Sequence, residues 1–268
     1  DLLLRPALHE KLRKATDVLK NASHGLVLCV GLPSSISNES SDWEKRGETA
    51  CDPLLHNSLA IFTDGELSTI YHKRSLPNYE VFDERRYFKS GKDLCVIDVR
   101  GRKIGVLICE DVWVSSIVDL TCAQGVDCIL VANASPFAEN KADERLVHIG
   151  RRSRHNNIPI VYANLVGGQD DLIFDGGSFA TNRRGERIAQ AAWFERDTLD
   201  LYLENGDFTT SDVSPIPSRD TLLYNALVTG VRDYFKKTGF KRAIIGLSGG
   251  IDSALTLAIA VEALGADN

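Results

Sequence analysis

Methionine is absent from all 268 residues, and the chain opens on Asp1. Against ordinary residue usage that is unusual. It points to a segment of a longer protein, or to modified methionines missing from the sequence, in which case close spacings run short by a residue. Cysteine pairs are missing too. Cys29, Cys51, Cys95, Cys109, Cys122 and Cys128 lie in or beside apolar segments, with no CxxC and no histidine at finger spacing. That excludes a zinc site and a disulfide framework, and it fits a reducing compartment. Five of the six are expected simply to be packed. An excess of positive charge is also lacking: 31 Lys and Arg stand against 37 Asp and Glu, a net charge of -6. A protein that grips nucleic acid through its phosphates needs the opposite balance. No apolar run reaches membrane-spanning length and no basic-then-apolar leader opens the chain, so no membrane partner and a cytoplasmic location are expected. What is present is ordinary globular composition, 43% hydrophobic and 25% charged, with length for one large or two smaller domains.

The most informative stretch is Lys103 to Trp113, KIGVLICEDVW. A short Val/Ile-rich run that stops at a polar cluster reads as a buried strand delivering its last residues to a rim. Cys109 is the residue delivered. An arbitrary buried cysteine is by default a small packed hydrophobe. Here Glu110 and Asp111 follow at once, and burying both carboxylates is costly, so the turn is expected to face a polar cavity or solvent, with Cys109 reachable at its wall.

Along the chain, Leu8, Leu12, Ala15, Val18 and Leu19 form a helical stripe begun by Pro6, and Leu26 to Leu32 reads as a buried strand. Ser34 to Asp52 has no period and reads as a surface loop. Two hairpins follow: Asn57 to Thr63 with Leu67 to His72 across Asp64-Gly65-Glu66, and Leu94 to Val99 with Lys103 to Ile108 across Arg100-Gly101-Arg102. Lys73 falls at the end of the first pair. Helices are expected over Ser115 to Gln124 and Glu139 to Asn156, and strands over Val126 to Asn133, Ile158 to Leu165 and within Phe174 to Glu186. The pattern is a layered α/β domain with mixed sheets. Asn205 to Arg219, polar and containing Ser-Pro-Ile-Pro-Ser, is the best linker. A helix, Thr221 to Lys237, then precedes a strand, Arg242 to Leu247. That strand runs into Ser248-Gly249-Gly250-Ile251-Asp252-Ser253 and a helix through Leu264. Glycines let backbone amides approach an anion, and a helix start adds partial positive charge, so the turn suits a pyrophosphate. The lysine and spacing of a Walker loop are missing.

Three resemblances attach to these residues. GVLICEDVW resembles the nucleophile strand of the nitrilase superfamily, carbon–nitrogen hydrolases that use Cys, Lys and Glu. Tyr71 to Gly91, YHKRSLPNYEVFDERRYFKSG, resembles the lysine segment of that domain as found in the glutamine-dependent NAD synthetase family. SGGIDS resembles the loop of the PP-loop ATP pyrophosphatases. Together they imply an α/β fold: a nitrilase-like αββα sandwich over 1–204, a linker over 205–219, and the start of a Rossmann-like PP-loop domain over 220–268. They imply Cys109 as nucleophile, Lys73 as the cation at the developing oxyanion, Glu84 as a supporting glutamate, and Tyr79, Ser135 and Lys141 as glutamine-site residues. Gly246, Leu247, Ser248, Gly249, Gly250, Ile251, Asp252 and Ser253 would bind nucleotide, with Asp252 also on Mg2+.

The substrates implied are glutamine, ATP with Mg2+, and deamido-NAD. Ammonia would be carried through a tunnel, in a homo-oligomer. The general-base glutamate of the family is expected ahead of Asp1, since none of Glu10, Glu39, Glu44, Glu48 or Glu66 sits at a plausible strand end. The rest of the deamido-NAD site is expected beyond Asn268, so the polypeptide as written should lack full synthetase activity. Two other readings stay open: a free-standing amidase with a vestigial nucleotide segment, and an inactive nucleotide-binding or assembly module.

Overall fold

The computed structural model describes residues 2–35, 55–209, 213 and 215–268, which form two compact units, 1–132 and 133–268. In the first, helix α1 (Pro6–Ala22) begins where the sequence places it, with proline in its first turn. Strands β1 (Val27–Ser35), β2 (Leu55–Thr63) and β3 (Glu66–His72) form an antiparallel sheet in that order. The middle strand carries the core, with Leu55, Leu59, Ala60, Ile61 and Phe62 all buried. Each large apolar side chain so buried contributes about 1.5–3 kcal/mol. β1 is an edge strand and only half-buried, where the sequence suggested full burial. Ser34 and Ser35 close it, and the rest of the expected surface loop through Asp52 lies outside the described residues.

The β2–β3 turn is tighter than the three residues expected. Asp64 and Gly65 both take positive φ, and Glu66 already pairs with Thr63. That is the two-residue hairpin whose twist matches its strands. Arg100 and Gly101 repeat it between β4 (Val96–Val99) and β5 (Arg102–Ile108). β5 then runs parallel to β6 (Cys128–Asn133), and between them come the single turn α2 (Glu110–Trp113) and helix α3 (Ser115–Cys122). Glycine at position 105 lets α3 lie directly on β5, because a Cβ there would meet the Thr121 methyl at 2.5 Å. β5 is thereby buried over residues 105–108 and ends at Cys109.

In the second unit, α4 (Lys141–Asn156) is followed by β7 (Ile160–Asn164), β8 (Val166–Gln169), β9 (Leu172–Asp175), β10 (Phe179–Thr181) and β11 (Arg187–Gln190). β10 pairs antiparallel with both β7 and β11, and β8 with β9. A further hairpin, β12 (Leu203–Glu204) and β13 (Asp207–Phe208), turns on Asn205-Gly206 at the start of the stretch read as linker. Asn-Gly is itself a strong hairpin signal.

Helix α5 (Arg219–Thr238) is capped by Ser218, whose hydroxyl accepts from the Thr221 amide, and ends at Gly239 with φ +82°. It docks on β8: Asp233 accepts from the Gly168 amide at 2.7 Å, and Lys237 donates to the Gly168 carbonyl. Arg242 to Leu247 does not form the expected strand. A strand needs a neighbour for its backbone groups; among the described residues this segment is part of no ladder, and the Ala243 amide donates to the Asn268 carbonyl at 2.9 Å. Ile244 is fully exposed and Leu247 largely so, while Ala243 and Ile245 are half-buried. Helix α6 (Ile251–Leu264) follows, with no buried residue. No helix among the described residues is long and apolar enough to cross a membrane.

Candidate active site

The site grows out of two strand ends in the first unit. Lys73 directly follows β3, and its backbone is held on both sides: its amide donates to the Asn57 carbonyl and its carbonyl accepts from the Gly91 amide, each at 2.8 Å. Gly91 lies so close that a Cβ there would come within 2.2 Å of the His72 carbonyl oxygen. The Lys73 side chain is 2% exposed and donates to Glu84 Oε1 at 2.6 Å; Asn57 Nδ2 approaches the other Glu84 oxygen at 3.4 Å. A buried ammonium requires such a partner. Glu84 opens a single 3-10 turn, Glu84–Arg86, so the sequence-predicted Lys73 and Glu84 meet.

Cys109 sits between β5 and α2 with φ 43° and ψ -103°. A non-glycine residue in so sparsely populated a region costs about 1–3 kcal/mol and persists only where its surroundings over-determine it. Its amide donates to the Ala132 carbonyl at 3.0 Å and its carbonyl accepts from Val112 at 3.1 Å. A sharp strand-to-helix turn of this kind lifts a nucleophile clear of the sheet. The residue as a whole is half-buried. Burial is the largest influence on it and pushes its protonation upward; the Lys73 ammonium pulls the other way, while Glu84, Glu110 and Asp111 reinforce the upward push.

The other described cysteines have no such cation acting on them. Burial raises Cys29, and it pushes Cys95 and Cys122 up to about 11 and Cys128 up to about 12. Cys95 and Cys128 are buried, as the sequence suggests, while Cys29 and Cys122 are half-buried; Cys51 lies outside the described residues.

The two carboxylates after Cys109 part company. Glu110 stays half-buried and accepts from the hydroxyl of Tyr79 at 3.0 Å, which burial and this bond push up to about 12. Asp111 is fully buried, against the expectation that both face a cavity or solvent. Burial pushes its protonation upward, and hydrogen bonds from the Ser75 amide, the Tyr71 hydroxyl and the Ile108 amide pull against that. Of the glutamates set aside as general base, Glu10 lies on α1 in an exposed pair with Arg13 and Glu66 opens β3. The other three fall outside the described residues.

Ser135 and Lys141 belong to the second unit. Ser135 is buried, and its hydroxyl accepts from Arg145 Nε at 3.1 Å. Arg145, also buried, donates through Nη1 to both oxygens of Asp175 at 2.8 Å and through Nη2 to the carbonyls of Ser135 and Pro136 at 2.9 Å. Asn164 completes the clamp from β7, donating to Asp175 and accepting from the Ser135 amide. Sequence reading missed Arg145 and Asp175. The available signal was an arginine on the apolar side of α4, between Ala142 and Ile149. Lys141 opens α4 and pairs with Glu144 at 3.1 Å near the surface, a contact worth little by itself.

The glycine turn is open to solvent. Gly249 takes φ +89°; the Ser248 and Ser253 hydroxyls lie 3.0 Å apart, and Ser253 donates to the Gly250 carbonyl. Gly246 and Leu247 lead into the turn, and Ile251, Asp252 and Ser253 form the first turn of α6. Among the described residues no group of three or more His, Cys, Asp or Glu side chains is arranged to hold a metal.

A strained cysteine at a strand end, under the influence of a buried lysine–glutamate pair, is the layout of a thiol-dependent α/β hydrolase. The carbon-nitrogen hydrolase family model matches residues 21–205 and the NAD synthase model matches residues 223–268. The chain belongs to the carbon-nitrogen hydrolase family. It is 41% identical over 272 residues to the glutamine-dependent NAD(+) synthetase of Acinetobacter baylyi, covering 100% of this chain and 47% of that protein. With the same enzyme of Xylella fastidiosa it shares 40% over 278 residues, again 47% of the relative. The chain thus spans about half the length of the curated relatives it matches.

Among solved structures, the glutamine-dependent NAD+ synthetase of Acinetobacter baumannii in complex with ADP superposes with a TM-score of 0.90 at 39% identity, over 100% of this chain and 48% of that one. A carbon-nitrogen hydrolase from Helicobacter pylori, 20% identical, shares the fold with a TM-score of 0.59 over 70% of this chain and 67% of that one. The expected fold, nitrilase-like and followed by the start of an NAD synthase domain, is the one found.

Proposed function

We propose that the chain carries the glutamine-hydrolysing half, and the opening nucleotide loop, of a glutamine-dependent NAD synthetase. The observation that carries this reading is the Lys73–Glu84 pair acting on the elbow thiol of Cys109. The relatives named as such synthetases support it along the whole chain. The domain layout proposed is amidase 1–204, linker 205–219 and synthetase start 220–268; the two family models, 21–205 and 223–268, leave 206–222 between them.

In the amidase half, Cys109 Sγ attacks the side-chain carbonyl of glutamine. The C–N bond breaks, the thiol proton leaves with the nitrogen as ammonia, and a γ-glutamyl thioester remains. Lys73 stabilises the charge developing on oxygen, and the amide of Glu110 is the candidate second donor. Water hydrolyses the thioester, releasing glutamate and restoring the thiol. Glu84 fixes the ammonium of Lys73. Tyr79, Ser135 and Lys141 are assigned to glutamine binding, with Arg145 holding the Ser135 hydroxyl in place.

In the synthetase half, the backbone of residues 246–253 and the two serine hydroxyls are suited to the phosphates of ATP. The nicotinate carboxylate of deamido-NAD attacks the α-phosphorus, pyrophosphate leaves, and ammonia displaces AMP to give NAD. Asp252 offers a single hard oxygen ligand, so it would hold Mg2+ together with nucleotide oxygens. The ion would supply charge compensation on the phosphates there. A cytoplasmic homo-oligomer completes the reading, carried over from the family resemblance.

The test is exchange of labelled pyrophosphate into ATP by the full-length protein. Exchange that requires deamido-NAD is expected. Glutamine hydrolysis without any exchange would leave a free-standing amidase.

A further inference from the structure

The hydrogen bonds of Asp111 join two chain segments that must act together. Its Oδ1 accepts from the amides of Arg74 at 3.1 Å and Ser75 at 2.8 Å; its Oδ2 accepts from the Tyr71 hydroxyl at 2.8 Å and the Ile108 amide at 3.2 Å. Three of these donors flank Lys73 on both sides, and the fourth belongs to the residue just before Cys109. Asp111 itself stands two residues beyond Cys109 and is fully buried.

Four donors are about as many as an ionised carboxylate accepts, and they are what makes its burial tolerable. Apart from this clamp, the backbone bonds of Lys73 run to Asn57 and Gly91 and those of Cys109 to Ala132 and Val112. Those bonds fix each residue within its own surroundings. Asp111 ties one set of surroundings to the other.

We propose that Asp111 is a positioning residue, holding the Cys109 elbow and the Lys73 strand end in fixed relation so that thiol and ammonium face the same substrate carbonyl. This rests on the assignment of Cys109 and Lys73 under Proposed function. The tie through Tyr79 and Glu110 is a second one, and Tyr79 is half exposed.

Asp111→Asn separates positioning from charge. Asparagine keeps one acceptor oxygen. If that oxygen retains the amides of Arg74 and Ser75, its NH2 group faces the Tyr71 hydroxyl, which can rotate, and the Ile108 amide, which cannot. The elbow side of the clamp opens.

The experiment is the rate of Cys109 alkylation by iodoacetamide, followed by peptide mass from about pH 6 to about pH 10, where thiolate formation sets the rate. It is run beside the kinetics of glutamine hydrolysis in the full-length protein. The charged groups acting on the thiol are Lys73, Glu84, Glu110 and Asp111. Removing the Asp111 charge with nothing moved lowers the alkylation inflection, because that charge pushes the thiol's protonation upward. Letting Lys73 drift out of place raises it.

The proposal expects the inflection to rise, kcat to fall about a hundredfold, and KM to stay within about threefold, as for a displacement of about 1 Å between reacting groups. A lowered or unchanged inflection overturns it. Should Asp111→Asn not fold, Tyr71→Phe decides: kcat about three- to tenfold lower with a smaller rise in the inflection supports the clamp, and wild-type values in both overturn it. A wild-type protein that hydrolyses no glutamine would sink the proposed function, while the alkylation profiles would still judge Asp111.

Discussion

If Cys109 is the covalent nucleophile proposed above, replacing it with alanine is expected to abolish glutamine-supported NAD formation in the full-length protein, by about a thousandfold or more, because such a nucleophile has no substitute. Formation supported by ammonium salts should stay within about twofold of wild type, since ammonia supplied from solution bypasses the amidase. The fold should tolerate the change. Alanine has the same backbone at φ 43°, and the residue as a whole is only half-buried. Measuring both nitrogen sources in one preparation separates the readings. Loss of both activities would make Cys109 a structural residue, and loss of neither would leave an inactive module.

Arg145→Met is expected to be strongly destabilising to the second unit. The guanidinium and the Asp175 carboxylate are paired at 2.8 Å with side chains 3% and 1% exposed. Removing one partner of a buried pair leaves an uncompensated charge and costs about 3–5 kcal/mol. For a body of this size that lowers the melting temperature by roughly 6–20 °C. Burial already pushes Asp175 protonation upward against the pull of Arg145, so the orphaned carboxyl should take up a proton.

The double variant Arg145→Met, Asp175→Leu carries no buried charge and should regain most of the lost stability. Its KM for glutamine should stay raised, because the Ser135 hydroxyl has lost its donor. Thermal unfolding and glutamine kinetics on the single and double variants check both statements.

Much of the first unit was legible because its signals are local. Asp64-Gly65 and Arg100-Gly101 announce tight turns, and the apolar run ending at Cys109 announces a buried strand that stops at a turn. Lys73 and Glu84 were placed by the family pattern around them, and the structure pairs them at 2.6 Å.

What escaped was non-local. No period in the sequence tells that Asp111 collects donors from residues 71, 74, 75 and 108, so burying it looked too costly. Arg145 read as one more charge on a basic helix, because its partner Asp175 is 30 residues away. Arg242 to Leu247 has a strand's composition, yet strand formation depends on a neighbour that composition does not reveal. Asn205-Gly206 was a local signal that a Pro- and Ser-rich neighbourhood obscured.

The central claim is that the Cys109 thiol and the Lys73 ammonium act on one another, and the alkylation profile of Cys109 in Lys73→Met tests it most directly. The variant removes the cation that pulls thiol protonation down and leaves the Glu84 charge, which pushes it up, unopposed. The account predicts an inflection higher than that of wild type. An inflection equal to or below that of wild type would contradict it.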